Sequence, residues 1–170
     1  MTSEGRAPGG ITVAPITADA QELDEIDAIA LAAFGYPQFS AREELARPWA
    51  RCWLAREDGL AQAFLIAWHV ADELHVLNVA TAPRARRRGI AAALIRASIE
   101  YARAHRVRIL LLEVRRGNLP AIRLYRGLGF TALSVRPGYY SDNGEDAIEM
   151  ILSLDPATGE ILPGRDEVSL

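Results

Sequence analysis

Arg84-Ala-Arg86-Arg-Arg88-Gly89-Ile90-Ala91 follows the run Leu77-Asn-Val-Ala80 and opens onto the stripe Ala91, Leu94, Ile95, Ser98, Ile99 and Ala102. The run reads as a strand and the stripe as the buried face of a long helix. The segment between them is therefore a strand-to-helix loop with four arginines. A helix start offers unpaired N–H groups and the positive end of the dipole. Gly89 and Ala91 are small, so a diphosphate can approach the backbone there, and the arginines add charge. The plainer reading is a basic loop ahead of an ordinary core helix. Upstream of the loop there is no dinucleotide fingerprint, so a dinucleotide fold is disfavoured.

Working outward, the N-terminal side reads as a first strand at Ile11–Ile16. A helix follows, opened by the capping-box spacing Asp19–Glu22, and a shorter one is opened by Ser40–Glu43. Three strands come next, at Arg51–Arg56, Ala61–Val70 and Glu73–Ala80, joined by short turns. Beyond the loop and its helix, Val107–Val114 is a nearly continuous apolar run, which predicts a buried strand. Asn118-Leu-Pro120 starts another helix, and Gly127 and Gly129 end it. Phe130–Arg136 and Ala147–Leu154 read as two final strands. The fold class is thus α/β (α+β), in the order β-α-α-β-β-β-α-β-α-β-β. The domain spans residues 11–154. Residues 1–10 are expected as a flexible tail, and residues 155–170 as a weakly ordered acidic tail.

The 170 residues suffice for one core. All 19 basic residues are Arg, which excludes a Walker phosphate loop and a Schiff-base lysine. The lone Cys52 excludes an internal disulfide and a Cys-rich zinc site. His69, His75 and His105 are too scattered for a metal triad, so no metal is expected. Cys52 reads as a buried small hydrophobe rather than a nucleophile. No signal peptide or membrane span is legible, which points to the cytoplasm and to no membrane partner.

Charge is segregated along the chain. Residues 1–83 carry a net −7, residues 84–136 carry +11, and residues 137–170 carry −7. A middle third of that sign attracts polyanions, either a phosphorylated cosubstrate or nucleic acid. Nucleic acid is disfavoured because the interleaved aromatics such surfaces use are missing.

The loop resembles motif A of the GNAT acetyltransferases, Gln/Arg-x-x-Gly-x-Gly/Ala, here Arg86-x-x-Gly89-x-Ala91. A second signature runs Leu112-Glu-Val-Arg115-x-x-Asn118-x-x-Ala121-Ile-x-Leu124-Tyr125-x-x-Leu128-Gly-Phe130. It continues through Arg136-Pro-x-Tyr139-Tyr140 and Glu145-Asp-Ala-Ile-x-Met150. Together they resemble the ribosomal-protein-alanine N-acetyltransferases (RimI) over about Ile11–Leu154.

The resemblance implies a central, mostly antiparallel sheet of about seven strands flanked by about four helices. It implies acetyl-CoA as cosubstrate and a protein N-terminus as acceptor, such as a ribosomal small-subunit protein. It implies Glu113 as general base and Tyr125 as general acid. Leu77, Asn78, Val79, Ala80, Arg84, Arg86, Arg87, Arg88, Gly89, Ile90, Ala91 and Asn118 are implied to hold the cosubstrate. Tyr139 and Tyr140 are implied to lie at the peptide end.

Read from the residues alone, Glu113 is equally a strand-end acid paired with Arg115 or Arg116. Tyr125 is equally a core aromatic with its hydroxyl bonded to backbone, and Asn118 a helix N-cap. Asp142, Glu145, Asp146 and Glu149 suit either a cationic acceptor or a solvated turn. Two rival functions are a GNAT enzyme for a small-molecule amine or a lysine side chain, and a nucleic-acid-binding module on the Arg-rich third. The resemblance departs at Thr81-Ala82-Pro83-Arg84, where the family carries an acid.

Overall fold

A computed structural model describes residues 5–7 and 10–170. The chain divides into two compact units. One comprises residues up to His69 with Leu77–Ile99, and the other Val70–Val76 with Glu100–Leu170.

The first unit begins with strands β1 (Gly5–Ala7) and β2 (Ile11–Pro15), then helices α1 (Ala20–Phe34) and α2 (Ala41–Leu45). Strands β3 (Ala50–Glu57) and β4 (Leu60–Val70) follow, then the second half of β5 (Glu73–Thr81). A 3-10 turn (Pro83–Ala85) and most of α3 (Ile90–Ala104) complete it. Strands β1 to β4 pair in sequence order, all antiparallel. Asp58 and Gly59 both take positive φ, 50° and 80°, as a two-residue hairpin loop between twisted strands requires.

Both N-terminal capping expectations hold in part. Asp19 accepts the Glu22 N–H at 2.9 Å, but Glu22 reaches back to the Thr17 N–H (2.8 Å) rather than to its own cap. Ser40 accepts from Glu43 N–H at 3.4 Å. The caps turn the apolar stripe of α1 inward, where Leu23, Ile26, Ile29 and Ala30 meet Cys52, Leu54, Phe64 and Ile66. Cys52 is buried there, and burial pushes its thiol well above the usual range, consistent with a packing role.

The second unit holds the first half of β5, the end of α3, β6 (Ile109–Arg115), α4 (Leu119–Gly127), β7 (Thr131–Tyr140), β8 (Glu145–Leu154) and β9 (Ile161–Leu162). β5 and β6 run parallel, since α3 lies between them in sequence as a crossover, while β6–β8, β7–β8 and β8–β9 are antiparallel. β6 is not evenly buried along its apolar run. Leu110, Leu112 and Val114 are core, whereas Ile109, Leu111, Glu113 and Arg115 on the other face are partly exposed. β7 bulges between Ala132 and Ser134 and again between Arg136 and Tyr140, where Pro137 has no N–H to give a ladder.

The expected order of elements is found, with β1, the 3-10 turn and β9 in addition. The fold is mixed α/β, mostly antiparallel, with four α-helices among the described residues. Of the stretch expected as an N-terminal tail, residues 1–4 and 8–9 lie outside the described residues, and Gly5–Ala7 pairs with β2.

The segment expected as a weakly ordered C-terminal tail is instead fastened down. Ile161 and Leu162 pair with Leu154 and Ser153, and Gly159 O accepts from Arg103 at 2.8 Å. Composition alone did not show this, because the anchors are backbone bonds to distant strands. Among the described residues no helix is long and apolar enough to cross a membrane.

Candidate active site

In the first unit, Leu77–Ala80 runs into the loop. Ala80 is buried, Leu77 is exposed, and Asn78 and Val79 are intermediate. The four arginines then separate by task. Arg84 turns back, its Nε donating to Gln62 Oε1 at 3.1 Å and a second nitrogen to Ala61 O at 3.2 Å, which satisfies a buried amide. Arg86 donates to Ala33 O (3.5 Å), in the last turn of α1, where cations suit the dipole. Arg88 pairs with Glu57 at 2.6 Å. Arg87 is exposed, sits at φ +64°, and has no side-chain partner among the described residues.

Helices α1, α2 and α4 each start under a capping side chain, from Asp19, Ser40 and Asn118. Helix α3 starts differently. Ala93 N–H donates to Gly89 O at 3.1 Å, so Gly89 occupies the cap and offers no side chain. The amides of Ile90, Ala91 and Ala92 precede the first intrahelical donor and are left for another acceptor. Gly89 has φ +75°, and a Cβ built on it meets nothing within 4 Å. The donor set is thus a bare helix start, open space before it, and one unengaged guanidinium. That set fits a phosphate ester.

In the second unit the strand register decides the site. Glu113 lies directly opposite Glu149 across β6–β8. Like charges in such a pair repel. Arg136, on the same face of β7, relieves this: its Nη1 lies 3.0 Å from Glu113 and its Nε 3.9 Å from Glu149. Glu113 therefore pairs with neither Arg115 nor Arg116. Arg115 goes to Asp142 (2.8 Å) and Glu145 (3.3 Å), and Arg116 to Asp146 (3.2 Å). The second Glu113 oxygen has no protein donor among the described residues.

The same contacts answer the question of the acidic cluster. Asp142, Glu145, Asp146 and Glu149 are occupied by the chain's own arginines and do not form a free anionic patch. Four arginines of the +11 segment, Arg115, Arg116, Arg126 and Arg136, are matched by the acids after it.

Tyr125 is largely packed away, on the face of α4 shared with Ile122, with its ring 5.9 Å from Phe130. Its hydroxyl makes no hydrogen bond to the protein among the described residues, so the reading of a backbone-tied core tyrosine fails. Burial, with the Tyr140 hydroxyl adding to it, pushes the phenol up to about 12, so it keeps its proton at neutral pH. Tyr140 is likewise pushed up to about 12, mainly by burial, although Arg115 lies 3.9 Å over its ring and opposes the shift. Tyr139 stands edge-on to Tyr140 at 5.2 Å, with Arg136 5.3 Å from its ring centre.

Asn118 Oδ1 accepts Ala121 N–H at 3.3 Å, which confirms the cap and leaves its amide NH2 free to donate. The turn before it is set by Glu145, which accepts the Gly117 N–H at 2.8 Å; a Cβ on Gly117 would come equally close to that carboxylate oxygen. The expected residues thus form two sets, Leu77–Ala80 with Arg84–Ala91, and Glu113, Asn118, Tyr125, Tyr139 and Tyr140. The sequence reading missed Arg136 and Glu149 as partners of Glu113. The available signal was period-2 parity along β6, β7 and β8, which requires the register to be known.

The acetyltransferase (GNAT) family profile matches residues 20–130. The [ribosomal protein bS18]-alanine N-acetyltransferase of Escherichia coli (strain K12) is 39% identical over 100 residues, covering 58% of this chain and 68% of that protein. An N-alpha-acetyltransferase of Sulfurisphaera tokodaii is 32% identical over 149 residues, 80% of this chain and 88% of that one. The crystal structure of the Escherichia coli ribosomal-protein-S18-alanine N-acetyltransferase superposes with a TM-score of 0.76 at 31% identity, over 84% of this chain and 93% of the other. With that profile spanning well over half of its length, this chain belongs to the acetyltransferase (GNAT) family, the acetyl-CoA-dependent N-acetyltransferases.

Proposed function

We propose that the protein acetylates the α-amine of a protein N-terminus, with a ribosomal small-subunit protein beginning in alanine as the acceptor class. The carrying observation is the 39% identity to an enzyme named for that reaction. Tyr125, whose unbonded hydroxyl retains its proton, supports the chemistry. Such a reaction belongs in the cytoplasm, where ribosomal proteins are made.

Acetyl-CoA supplies an activated thioester. The Ile90, Ala91 and Ala92 amides, Gly89 and Arg87 would hold its phosphates, and Asn118 would donate to its pantetheine arm. An α-amine has a pKa of about 7.7–8, so freeing it of its proton costs only about 1 kcal/mol near neutrality. The open oxygen of Glu113 is sufficient as a base, directly or through water. A backbone N–H at Val79 or Ala80 polarises the carbonyl oxygen. Tyr125 donates toward the departing sulfur. Because thiols ionise at about 8.5, well below this phenol, the hydrogen bond contributes more than complete proton transfer does. Positioning of the two reactants supplies the largest share of the rate.

A thiol-release assay with acetyl-CoA tests this, using a peptide beginning Ala-Arg and the same peptide blocked at its N-terminus. Release with the free peptide alone is expected. Equal release with the blocked peptide would overturn the α-amine assignment and favour a side-chain acceptor.

A further inference from the structure

We infer that residues 155–170 act as a strap that positions Tyr125, with Ile161 and Asp166 as its positioning residues. The inference rests on the role proposed for Tyr125. Three contacts carry it, all on the turn that leaves α4.

Tyr125 O accepts both the Leu128 N–H (3.1 Å) and the Phe130 N–H (3.0 Å), so the tyrosine's own backbone closes this turn. Gly129, inside the turn, has φ +108°, a conformation that favours glycine. The Ile161 side chain covers it: a Cβ on Gly129 would lie 3.1 Å from Ile161 Cγ2. Asp166 then grips both flanks of the turn. One oxygen accepts the Ala132 N–H at 2.9 Å, and the other pairs with Arg126, the residue after Tyr125. Glu167 N–H returns a bond to Ala132 O at 2.8 Å. The far end of the strap is fixed by Arg103 on Gly159 O and by β9 on β8.

Ile161 and Leu162 remain 38% and 42% exposed, and the Arg126–Asp166 pair is more than a third exposed on each side. Contacts that open to water add little to global stability. Their geometric effect is local, because they clamp the turn that sets where the Tyr125 ring stands. A small displacement of a group that must meet a reacting atom is costly in rate.

The test uses the full-length chain with Ile161→Ala plus Asp166→Ala, and separately the milder Asp166→Asn, which keeps an acceptor for Ala132 N–H. The double variant is expected to lower kcat about tenfold, with KM for acetyl-CoA within about twofold; it also leaves the buried Ala132 N–H without its acceptor, so the kinetics are read well below its lowered melting temperature. Asp166→Asn should show a smaller loss in the same direction. A second readout needs no turnover. In a 295-nm tyrosinate titration, with the Tyr125→Phe chain as the blank that separates Tyr125 from Tyr140, the Tyr125 midpoint should be lower in the double variant, moving from the value raised by burial toward the ordinary phenol value of about 10.

In a Tyr125→Phe background the strap substitutions should have no further effect on kcat. The same fold-loss in that background, or an unaltered titration, would overturn the strap. If Tyr125→Phe alone keeps full turnover, the acid role is what fails, and the titration still decides the strap.

Discussion

The arginines of the loop and those of β6 and β7 come from one strongly basic stretch of sequence, yet they end in opposite situations. In the second unit Arg115, Arg116 and Arg136 each meet carboxylates of β6, β8 or the turn before β8, and their charge is balanced within the fold. In the loop, three of four guanidinia hold β4, α1 and the β3–β4 hairpin, and Arg87 alone has no side-chain partner among the described residues. A segment's formal charge therefore says little about the field it presents. At the loop, the electropositive feature that persists is small: an uncapped helix start and one unpaired arginine.

The largest effect separating the regions should come from Tyr125→Phe. It is expected to lower kcat by about a hundredfold with little change in acetyl-CoA affinity, as steady-state kinetics beside calorimetry would reveal. Glu113→Gln should slow turnover by about 10- to 100-fold and move the pH optimum upward, because the amine must then lose its proton unaided. An unchanged pH–rate profile would remove Glu113 from the base role.

Gly89→Val addresses the other region. Open space around the site means that the fold meets only the strain of a left-handed backbone, about 1–2 kcal/mol, whereas acetyl-CoA affinity should fall more than about tenfold. A calorimetric titration at wild-type affinity would contradict the assignment of this loop.

A paired experiment breaks or keeps the contrast between arginines. Arg87→Ala should weaken acetyl-CoA about fivefold, the ~1 kcal/mol of one charge near water, in a salt-dependent way and without a change in melting temperature. Arg115→Ala should do the reverse: affinity unchanged, and stability lower by about 1 kcal/mol, or a melting temperature down by about 2–4 °C. Exchanged outcomes would show that the loop charge is structural.

The smallest effect is on acid stability. The Gly117 N–H, followed by Arg115, holds the Glu145 carboxyl below its usual range, and Arg115 does the same for Asp142. Their contribution is present above the unfolded carboxylate pKa and is lost as pH falls through the lowered folded value. Glu145→Gln, which keeps an acceptor for Gly117, should therefore lower stability slightly at neutral pH, leave it nearly unchanged at low pH, and so flatten the acid limb of a stability–pH curve.

Several elements were legible because their code is local. Asp19, Ser40 and Asn118 mark helix starts through a bond three residues ahead. Asp58-Gly59 marks a hairpin by backbone preference. Gly89 and the small residues after it mark the loop proposed to hold phosphate. The candidate acid and base were found through resemblance, and their surroundings were not. The expected Arg115 or Arg116 partner of Glu113 proved to be Arg136, because the register of β6, β7 and β8 places that guanidinium beside two facing carboxylates.

The order of elements, the capped and uncapped helix starts, and the family can be read along the chain. Which arginine meets which acid, the unbonded Tyr125 hydroxyl, and the fastening of residues 155–170 to α4 and β8 emerge with the folded chain. The physical reason is range. Caps and turns are settled within four residues, whereas strand register and strap contacts join groups 20 to 40 residues apart, and no local pattern encodes their pairing.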